Sequence, residues 1–247
     1  MPEVPASPEQ VHATELADRI SGLVPYGSII EHCTIRGVVA LTFDDGPYKY
    51  TNDVLDLLDE HNATATFFVN GHNWVDEIDD QSTPWPATLR RMVRSGHQVG
   101  SHGWSHVDMM NTDSQSRNHQ IRRLESALLS ILGEYPTYFR PPYASCEPEC
   151  LAELEGMGYH VVNFDLDTKD YEHNQPDTVR TAQNIFADAL DSGTPRSSFL
   201  VLSHDVHKTT AKSLVPFMLQ KIRHRRYKAV TVGECLGDAP ENWYRVS

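Results

Sequence analysis

Short apolar runs alternate with amphipathic stretches along most of the chain. Between the apolar runs, hydrophobic residues recur at helical spacing, as in Val54, Leu55 and Leu58 and in Ile121 and Leu124. The runs themselves have the length and composition of strands. Seven such runs span residues 38–43, 64–69, 98–101, 137–140, 159–165, 199–203 and 229–232. Strands that alternate with helices predict an α/β fold whose strands run parallel.

Seven strands are one fewer than a closed (β/α) barrel contains. We therefore expect a deformed (β/α) barrel of about seven parallel strands, formed as a single domain by residues 33–247. Residues 1–32 are polar and include a weak helical pattern with Val11, Leu16 and Ile20, which we interpret as an extension packed on the domain. Catalytic groups in such barrels gather at the carboxyl ends of the strands.

Composition and net charge restrict the kinds of molecule that the protein is expected to bind. The 247 residues, 39% of them hydrophobic and 22% charged, are enough for one core. The formal net charge of −13 argues against binding to nucleic acid or anionic membranes, because both need clustered Lys and Arg. A membrane span would need about 20 consecutive apolar residues, which the sequence lacks.

The four cysteines bear on the cellular compartment. Cys33 precedes the first predicted strand and Cys235 follows the last, so a barrel would bring them together, and Cys146 and Cys150 bracket a short turn. We expect these two disulfides and an oxidising compartment, although four cysteines permit three pairings, and free thiols or a thiolate metal site are the alternatives. The N-terminus lacks the layout of a signal peptide, so the protein is either cytosolic or already processed.

The first predicted strand runs directly into two adjacent carboxylates, Asp44 and Asp45, followed by Gly46 and Pro47. Neighbouring side chains at a strand end point in different directions, so one acid can bind a cation while the other faces the substrate as a base. Asp before Gly-Pro is also ordinary turn chemistry, and this pair alone does not separate the two interpretations.

Two histidines, His102 and His106, follow the third predicted strand, one helical turn apart. Both rings can meet one ion at this spacing. Two His and one Asp leave coordination positions open, which a catalytic Zn²⁺ site requires. The same ligands suit Fe(II) or Co(II), so the site is better determined than the metal.

Three later strand ends also carry polar groups. Arg140 ends the fourth strand, where a guanidinium could keep a carboxylate ionised and oriented, and an acidic segment spans residues 165–171. His204 ends the sixth strand, and its ordinary pKa near 6.5 suits a proton donor. Trp74 follows the second strand and is a candidate sugar contact. The other histidines, including His207, show no such convergence and are expected to be structural or superficial.

The segments with these residues resemble the motifs of the polysaccharide deacetylase family, carbohydrate esterase family 4, and most closely those of its fungal chitin deacetylases. The resemblance covers the chain from about residue 38 onward. The matching segments are TFDDGP (42–47), SHGWSH (101–106), RPPY (140–143), DTKDY (167–171) and LSH (202–204). The family's fold agrees with the deformed barrel expected from the pattern of strands.

The resemblance implies a role for each matching residue. Asp45, His102 and His106 would bind one divalent metal ion, Zn²⁺ or alternatively Co²⁺. The implied catalytic residues are the base Asp44, the acid His204, and Arg140 and Asp170, which orient them. The backbone N–H of Tyr143 is implied as a donor to the oxyanion, and Trp74 and Leu202 are further candidate substrate contacts. Tyr171 stands where many bacterial relatives have Trp, and it agrees with the fungal branch of the family.

The function implied is hydrolysis of N-acetyl groups from the N-acetylglucosamine residues of chitin or its oligomers, which releases acetate and gives chitosan. We expect a monomer that is secreted or held in the cell wall. The alternatives are a peptidoglycan deacetylase or an acetylxylan esterase that uses the same site. A sugar-binding protein without turnover is a third interpretation, which the intact set of chemical groups argues against.

Overall fold

The computed structural model describes residues 24–246. Its strands are β1 (Ile29–Ile30), β2 (Val38–Asp44), β3 (Thr66–Val69), β4 (Gln98–Ser101), β5 (Tyr135–Pro136), β6 (Tyr138–Phe139), β7 (His160–Val162), β8 (Leu166–Asp167), β9 (Phe199–His204), β10 (Lys228–Val230) and β11 (Tyr244–Arg245). Its α-helices are α1 (Thr51–Glu60), α2 (Trp85–Arg94), α3 (Ser114–Leu132), α4 (Pro148–Gly156), α5 (Val179–Ser192), α6 (Val215–Arg225) and α7 (Val232–Leu236).

Nine of the strands form one curled sheet in which all described pairs are parallel. The order is β1-β7-β6-β4-β3-β2-β9-β8, and β10 pairs with the first half of β2. Strands β5 and β11 form a separate antiparallel pair. The predicted α/β class and deformed barrel are confirmed, and all seven predicted strands are present.

The fifth predicted strand, residues 159–165, is shorter in the structure and is followed by a separate strand. Strand β7 ends at Val162, and β8 pairs with β9 at the opposite edge of the sheet. The connecting residues bridge the two edges, because Asn163 N–H donates to Ile30 O at 2.8 Å and Asp165 N–H donates to Leu200 O at 3.1 Å. The barrel is deformed at this point because a connection, rather than a strand pair, joins the edges.

Alternation along β2 places its side chains in two cores. Val39, Leu41 and Phe43 pack in the large cluster beneath the helices, whereas Val38 and Ala40 belong to the cluster inside the curled sheet. Successive strand residues face opposite sides, so the next positions on the inner side are 42 and 44. This alternation directs Thr42 and Asp44 toward the interior at the carboxyl end of the strand.

The N-terminal extension is only partly described. The helical pattern at residues 11–20 lies outside the described residues. Residues 25–30 pack along β7: Tyr26 stacks on His160 with ring centroids 4.2 Å apart, Gly27 N–H donates to Tyr159 O at 2.9 Å, and Ile29–Ile30 form the edge strand β1. The boundary of the extension at residue 32 remains a prediction.

Two disulfides fix the ends of the domain and one surface turn. Cys33 is bonded to Cys235, which joins the segment before β2 to α7, and Cys146 is bonded to Cys150 at the start of α4. Within residues 24–246, no helix is both long and apolar enough to cross a membrane.

Candidate active site

The carboxyl end of β2 presents two acids with different surroundings. Asp44 is 3% exposed and faces the interior, whereas Asp45 begins the turn toward α1 with a left-handed backbone (φ 77°). Asp45 Oδ1 lies 3.2 Å from His106 Nε2 and 3.6 Å from His102 Nε2. Burial would raise the pKa of Asp45, but the adjacent imidazoles outweigh it and hold that pKa below its ordinary value.

The orientation of His102 is set by the neighbouring strand. Its Nδ1 lies 2.6 Å from Arg140 O, so we assign the ring proton to Nδ1 and leave the lone pair of Nε2 facing Asp45. Burial lowers the pKa of His102, which favours the neutral ring. A backbone acceptor that fixes the tautomer in this way is typical of histidines that bind metals.

The loop with both histidines is held from the end of β3. Asn70 Nδ2 donates to His102 O at 2.7 Å and to Gly103 O at 2.9 Å. Trp104 packs so closely on Gly71 that a methyl group on that glycine would lie 1.9 Å from the indole. Trp104 is 9% exposed and belongs to the core, so it positions the loop rather than facing a sugar.

Arg140 and Asp44 form a buried ion pair. Arg140 is 1% exposed, and its Nη1 donates to Asp44 Oδ1 at 2.8 Å and to Thr42 Oγ1 at 2.5 Å. The other guanidinium donors bind Val162 O at 3.1 Å and Asn163 O at 2.7 Å. With these four partners, Arg140 fixes the position of the Asp44 carboxylate as the sequence analysis expects of an orienting residue.

A second buried acid, Asp170, follows β8 and pairs with His204 at the end of the neighbouring strand β9. Asp170 is 1% exposed, and its Oδ1 lies 2.8 Å from His204 Nδ1. Its Oδ2 accepts hydrogen bonds from His204 N at 2.8 Å and from Thr210 Oγ1 at 2.7 Å. Burial would raise the pKa of Asp170, but His204 and these hydrogen bonds lower it.

The pairing with Asp170 also shifts the pKa of His204. Burial would lower the pKa of His204, but the Asp170 carboxylate outweighs it, with smaller contributions from Asp45 and Asp44, and raises that pKa to about 10. His204 is therefore protonated at neutral pH and holds a proton at the mouth of the barrel. Its strand is in register with β2, where His204 is the partner of Asp44.

One cavity of about 390 Å³, a size that suits a small organic ligand, is lined by the chemical groups described above other than Asp170: Asp44, Asp45, His102, His106, Arg140 and His204. Its rim contains three exposed aromatic side chains, Trp74 (43% exposed), Tyr143 (69%) and Tyr171 (42%), while Leu202 forms part of the wall. Tyr171 Oη also donates to Asp167 Oδ2 at 3.0 Å, which fixes the ring beside His204. The structure thus places every predicted substrate contact around the same cavity.

The cavity also contains residues that the sequence did not identify as part of the site, among them His207 and Phe164. His207, expected to be structural or superficial, lines the cavity with its ring 6.0 Å from that of His204 and 6.0 Å from Trp74. Phe164, in the connection between β7 and β8, also lines the cavity, with the centre of its ring 5.8 Å from Arg140 Cζ. The position of His207, three residues after His204 in the same loop, is the one signal that could have identified it. Phe164 has no such signal, because the bridging connection was read as part of a strand.

The residues at the end of β2 and β4 fit a divalent metal ion. The ligand atoms of Asp45, His102 and His106 lie within 4.8 Å of one another. Asp45 Oδ1 is buried and accepts no hydrogen bond from residues 24–246, although it lies 3.2 Å from His106 Nε2 and 3.6 Å from His102 Nε2. One carboxylate and two imidazoles are typical of an open metal site.

Comparison with known proteins gives the family. Residues 31–162 match the polysaccharide deacetylase family, and this chain belongs to it. It is 47% identical over 222 residues to a chitin deacetylase of Colletotrichum lindemuthianum, which covers 90% of this chain and 88% of that protein. A chitin deacetylase of Pestalotiopsis sp. is 46% identical over 94% of this chain and 74% of its own length.

A solved structure agrees with the sequence comparison. The chitin deacetylase structure from the fungal pathogen Colletotrichum lindemuthianum superposes with a TM-score of 0.87 at 46% identity. The match covers 91% of this chain and 98% of that one. The resemblance to the family expected from five short segments therefore extends over nearly the whole fold.

Proposed function

We propose that this protein removes N-acetyl groups from the N-acetylglucosamine residues of chitin or chitin oligomers by hydrolysis, releasing acetate. One observation carries the proposal: the cluster of Asp45, His102 and His106 shares a cavity with the ion pair of Asp44 and Arg140 and with His204. Behind the cavity wall, buried Asp170 is paired with His204. The two chitin deacetylases among its relatives support the choice of substrate.

Asp45, His102 and His106 would hold one divalent cation, for which we propose Zn²⁺, with Co²⁺ as the alternative. Bound there, the cation supplies Lewis-acid chemistry, which polarises the acetamide carbonyl and lowers the pKa of a water molecule. The protein's own part is to keep the His102 imidazole neutral and oriented, which its contact between Nδ1 and Arg140 O supports.

We assign the base to Asp44. Asp44 lines the cavity; its Oδ1 accepts a hydrogen bond from Arg140 at 2.8 Å, while its Oδ2 lies 3.8 Å from His102 Nε2. A carboxylate fixed in this way can accept the proton of the attacking water without first losing side-chain freedom. Arg140 orients this carboxylate and takes no proton itself, because arginine stays charged in proteins.

We assign the acid to His204. An amine anion is a very poor leaving group, so the amide bond breaks only when the nitrogen receives a proton. His204 is held in the protonated state by Asp170, with Nδ1 engaged at 2.8 Å, which leaves Nε2 to donate to the departing nitrogen. General-acid catalysis of this kind contributes roughly 10²- to 10⁴-fold to the rate.

The remaining cavity residues would recognise the sugar. Trp74 and Tyr143 present exposed aromatic surface at the rim, and such rings can pack on the apolar faces of a pyranose. Leu202 would contact the acetyl methyl group, and the backbone N–H of Tyr143 would donate to the acetyl oxygen in the transition state. A neutral polymer also suits a protein with a net charge of −13.

The same site could act on peptidoglycan or on the acetate esters of xylan, and a binding protein could retain the fold without turnover. Acetate release from chitin oligomers, peptidoglycan and acetylxylan, measured in parallel, separates these cases. We expect the highest kcat/KM on chitin oligomers. A higher value on either other polymer would contradict the proposed substrate, and absence of release from all three would favour the binding protein.

A variant pair makes the same experiment specific for the site. Asp44→Asn removes the base and is expected to lower the rate by roughly 10²-fold or more. Asp56→Asn on α1, which alters an exposed ion pair with Arg91 on α2, is the control and should retain wild-type activity. We also propose that the protein is a secreted monomer. The two disulfides support secretion, because disulfides form and persist in oxidising compartments.

A further inference from the structure

A buried carboxyl group that the proposed mechanism does not use lies beside the turn with Asp45. Asp205 directly follows His204 and has no exposed surface. Its Oδ2 accepts a hydrogen bond from Thr51 Oγ1, and its Oδ1 accepts none from residues 24–246. A buried acid with so few donors is costly to keep, so its position calls for a structural or functional reason.

Thr51 links this carboxyl group to the turn between β2 and α1. Thr51 is the first residue of α1 and is fully buried. Its hydroxyl donates to Asp205 and accepts a hydrogen bond from Tyr48 N–H at 2.8 Å, while Thr51 N–H donates to Tyr48 O at 3.0 Å. The end of β9 is thereby connected through one hydroxyl to the middle of the turn.

The carboxyl group also rests directly on Gly46. A methyl group built on Gly46 would lie 2.5 Å from Asp205 Oδ1 and 2.6 Å from Oδ2, so only glycine permits this approach. On its other side, Gly46 O accepts a hydrogen bond from Asn70 N at 3.0 Å. The residue immediately after Asp45 is therefore held between Asp205 and the end of β3.

This support is needed because the sheet stops short of the turn. The ladder between β2 and β9 ends with Asp44 opposite His204. Asp45 then adopts a left-handed backbone (φ 77°), a conformation that costs a non-glycine residue about 1–3 kcal/mol and persists only where the surroundings impose it. The contacts of Asp205 and Thr51 are among those that impose it.

We propose that Asp205 and Thr51 are positioning residues that hold the 45–51 turn so that the Asp45 carboxylate faces His102 and His106, and that they thereby set the affinity for the metal. The inference rests on the proposed metal site. It predicts a loss of metal affinity when either contact is removed, since support around a ligand typically contributes 10- to 100-fold to affinity or activity.

Thr51→Val tests the proposal with little change of shape, because valine replaces the hydroxyl by a methyl group and removes both hydrogen bonds. The purified full-length protein is loaded with Zn²⁺ and titrated with a chelator of known affinity, and the metal retained gives the Kd. We expect Zn²⁺ binding at least tenfold weaker than wild type. Thr51→Ser restores the hydroxyl and should restore the affinity.

Thr66 provides a matched control elsewhere in the sheet. Its buried hydroxyl also makes two hydrogen bonds, donating to Gln98 Oε1 at 3.0 Å and accepting from Val232 N at 2.8 Å, at the start of β3. Thr66→Val should lower the Tm in the same way as Thr51→Val but leave the Kd for Zn²⁺ unchanged. A general loss of stability would instead weaken metal binding in both variants.

Wild-type Zn²⁺ affinity in folded Thr51→Val would overturn the proposal, as would equal losses in Thr51→Val and Thr66→Val. If Thr51→Val does not fold, Asp205→Ala replaces it, since it removes the acceptor of Thr51 and the group on Gly46, and the same outcomes apply. Wild-type protein that retains no Zn²⁺ would overturn the proposed function itself, and this result is distinct from a failure confined to the variants.

Discussion

Replacing Asp170 by Asn should change how the rate depends on pH, rather than only its size. In the structure, Oδ2 of Asp170 receives two donors, His204 N–H and Thr210 Oγ1, so the carbonyl oxygen of the Asn would take that position. Its NH₂ group would then face His204 Nδ1. An imidazolium donates from both nitrogens, so this arrangement disfavours the charged ring.

The expected magnitude follows from the pKa of His204. Asp170 raises that pKa to about 10, so the acid form persists until the pH passes about 10, and removing the carboxylate moves the loss of the acid form to lower pH. If the pKa falls to its ordinary value near 6.5, about three quarters of His204 is protonated at pH 6 but only about 3% at pH 8. Asp170→Asn should therefore cost less than twofold at pH 6 and about 30-fold at pH 8 through this effect.

The assay is kcat/KM for acetate release from a chitin oligomer between pH 5 and pH 10, because its pH profile reports the groups of the free enzyme. NMR titration of the His204 ring in both proteins gives the pKa directly. A fall in rate by the same factor at every pH, with the alkaline limb unmoved, would refute the role of Asp170 in holding the proton on His204.

Three further predictions concern the buried charge, the disulfides and the acid. Arg140→Met leaves the Asp44 carboxylate buried without its partner and should reduce the free energy of unfolding by about 3–5 kcal/mol, measured with denaturant; a change below 1 kcal/mol would contradict the burial argument. Replacing Cys33 and Cys235 by Ser, which opens a loop of 202 residues, should cost about 5 kcal/mol, against about 2 kcal/mol for the other disulfide, with a separation of 4. Unfolding curves that rank the two in the opposite order would refute this. His204→Ala should reduce amide turnover far more than turnover of an activated acetate ester, and equal losses would contradict its role as acid.

The fold was largely predictable from the sequence because parallel strands buried on both faces appear as short apolar runs. Strand β2, VVALTFD, is buried along its whole length and was recognised for this reason. The edge strands β1 and β8 were missed because two residues cannot establish a period. β1 pairs with β7 and β8 with β9, strands that lie far from them along the chain, so their pairing is determined by tertiary contacts rather than by local pattern.

For the candidate site, the sequence was enough to predict which residues take part and which strand ends carry them. Asp45, His102 and His106 were grouped because each follows a strand, and the structure brings them together. Local sequence could not divide the roles of Asp44 and Asp45. The structure distinguishes them physically, because the inward alternation of β2 directs Asp44 to Arg140, while the left-handed backbone of Asp45 turns it toward the imidazoles.

The dependence of deacetylation on a metal ion held by Asp45, His102 and His106 is tested most directly by acetate release from a chitin oligomer. Release is measured before chelation, after complete metal removal, and after Zn²⁺ is added back. Metal content is measured in each sample, and circular dichroism shows that the fold is retained. We expect activity to disappear with the metal and to return in proportion to the Zn²⁺ bound, whereas Asp45→Ala should recover neither activity nor bound Zn²⁺. Acetate release that continues unchanged in metal-free protein would contradict the account.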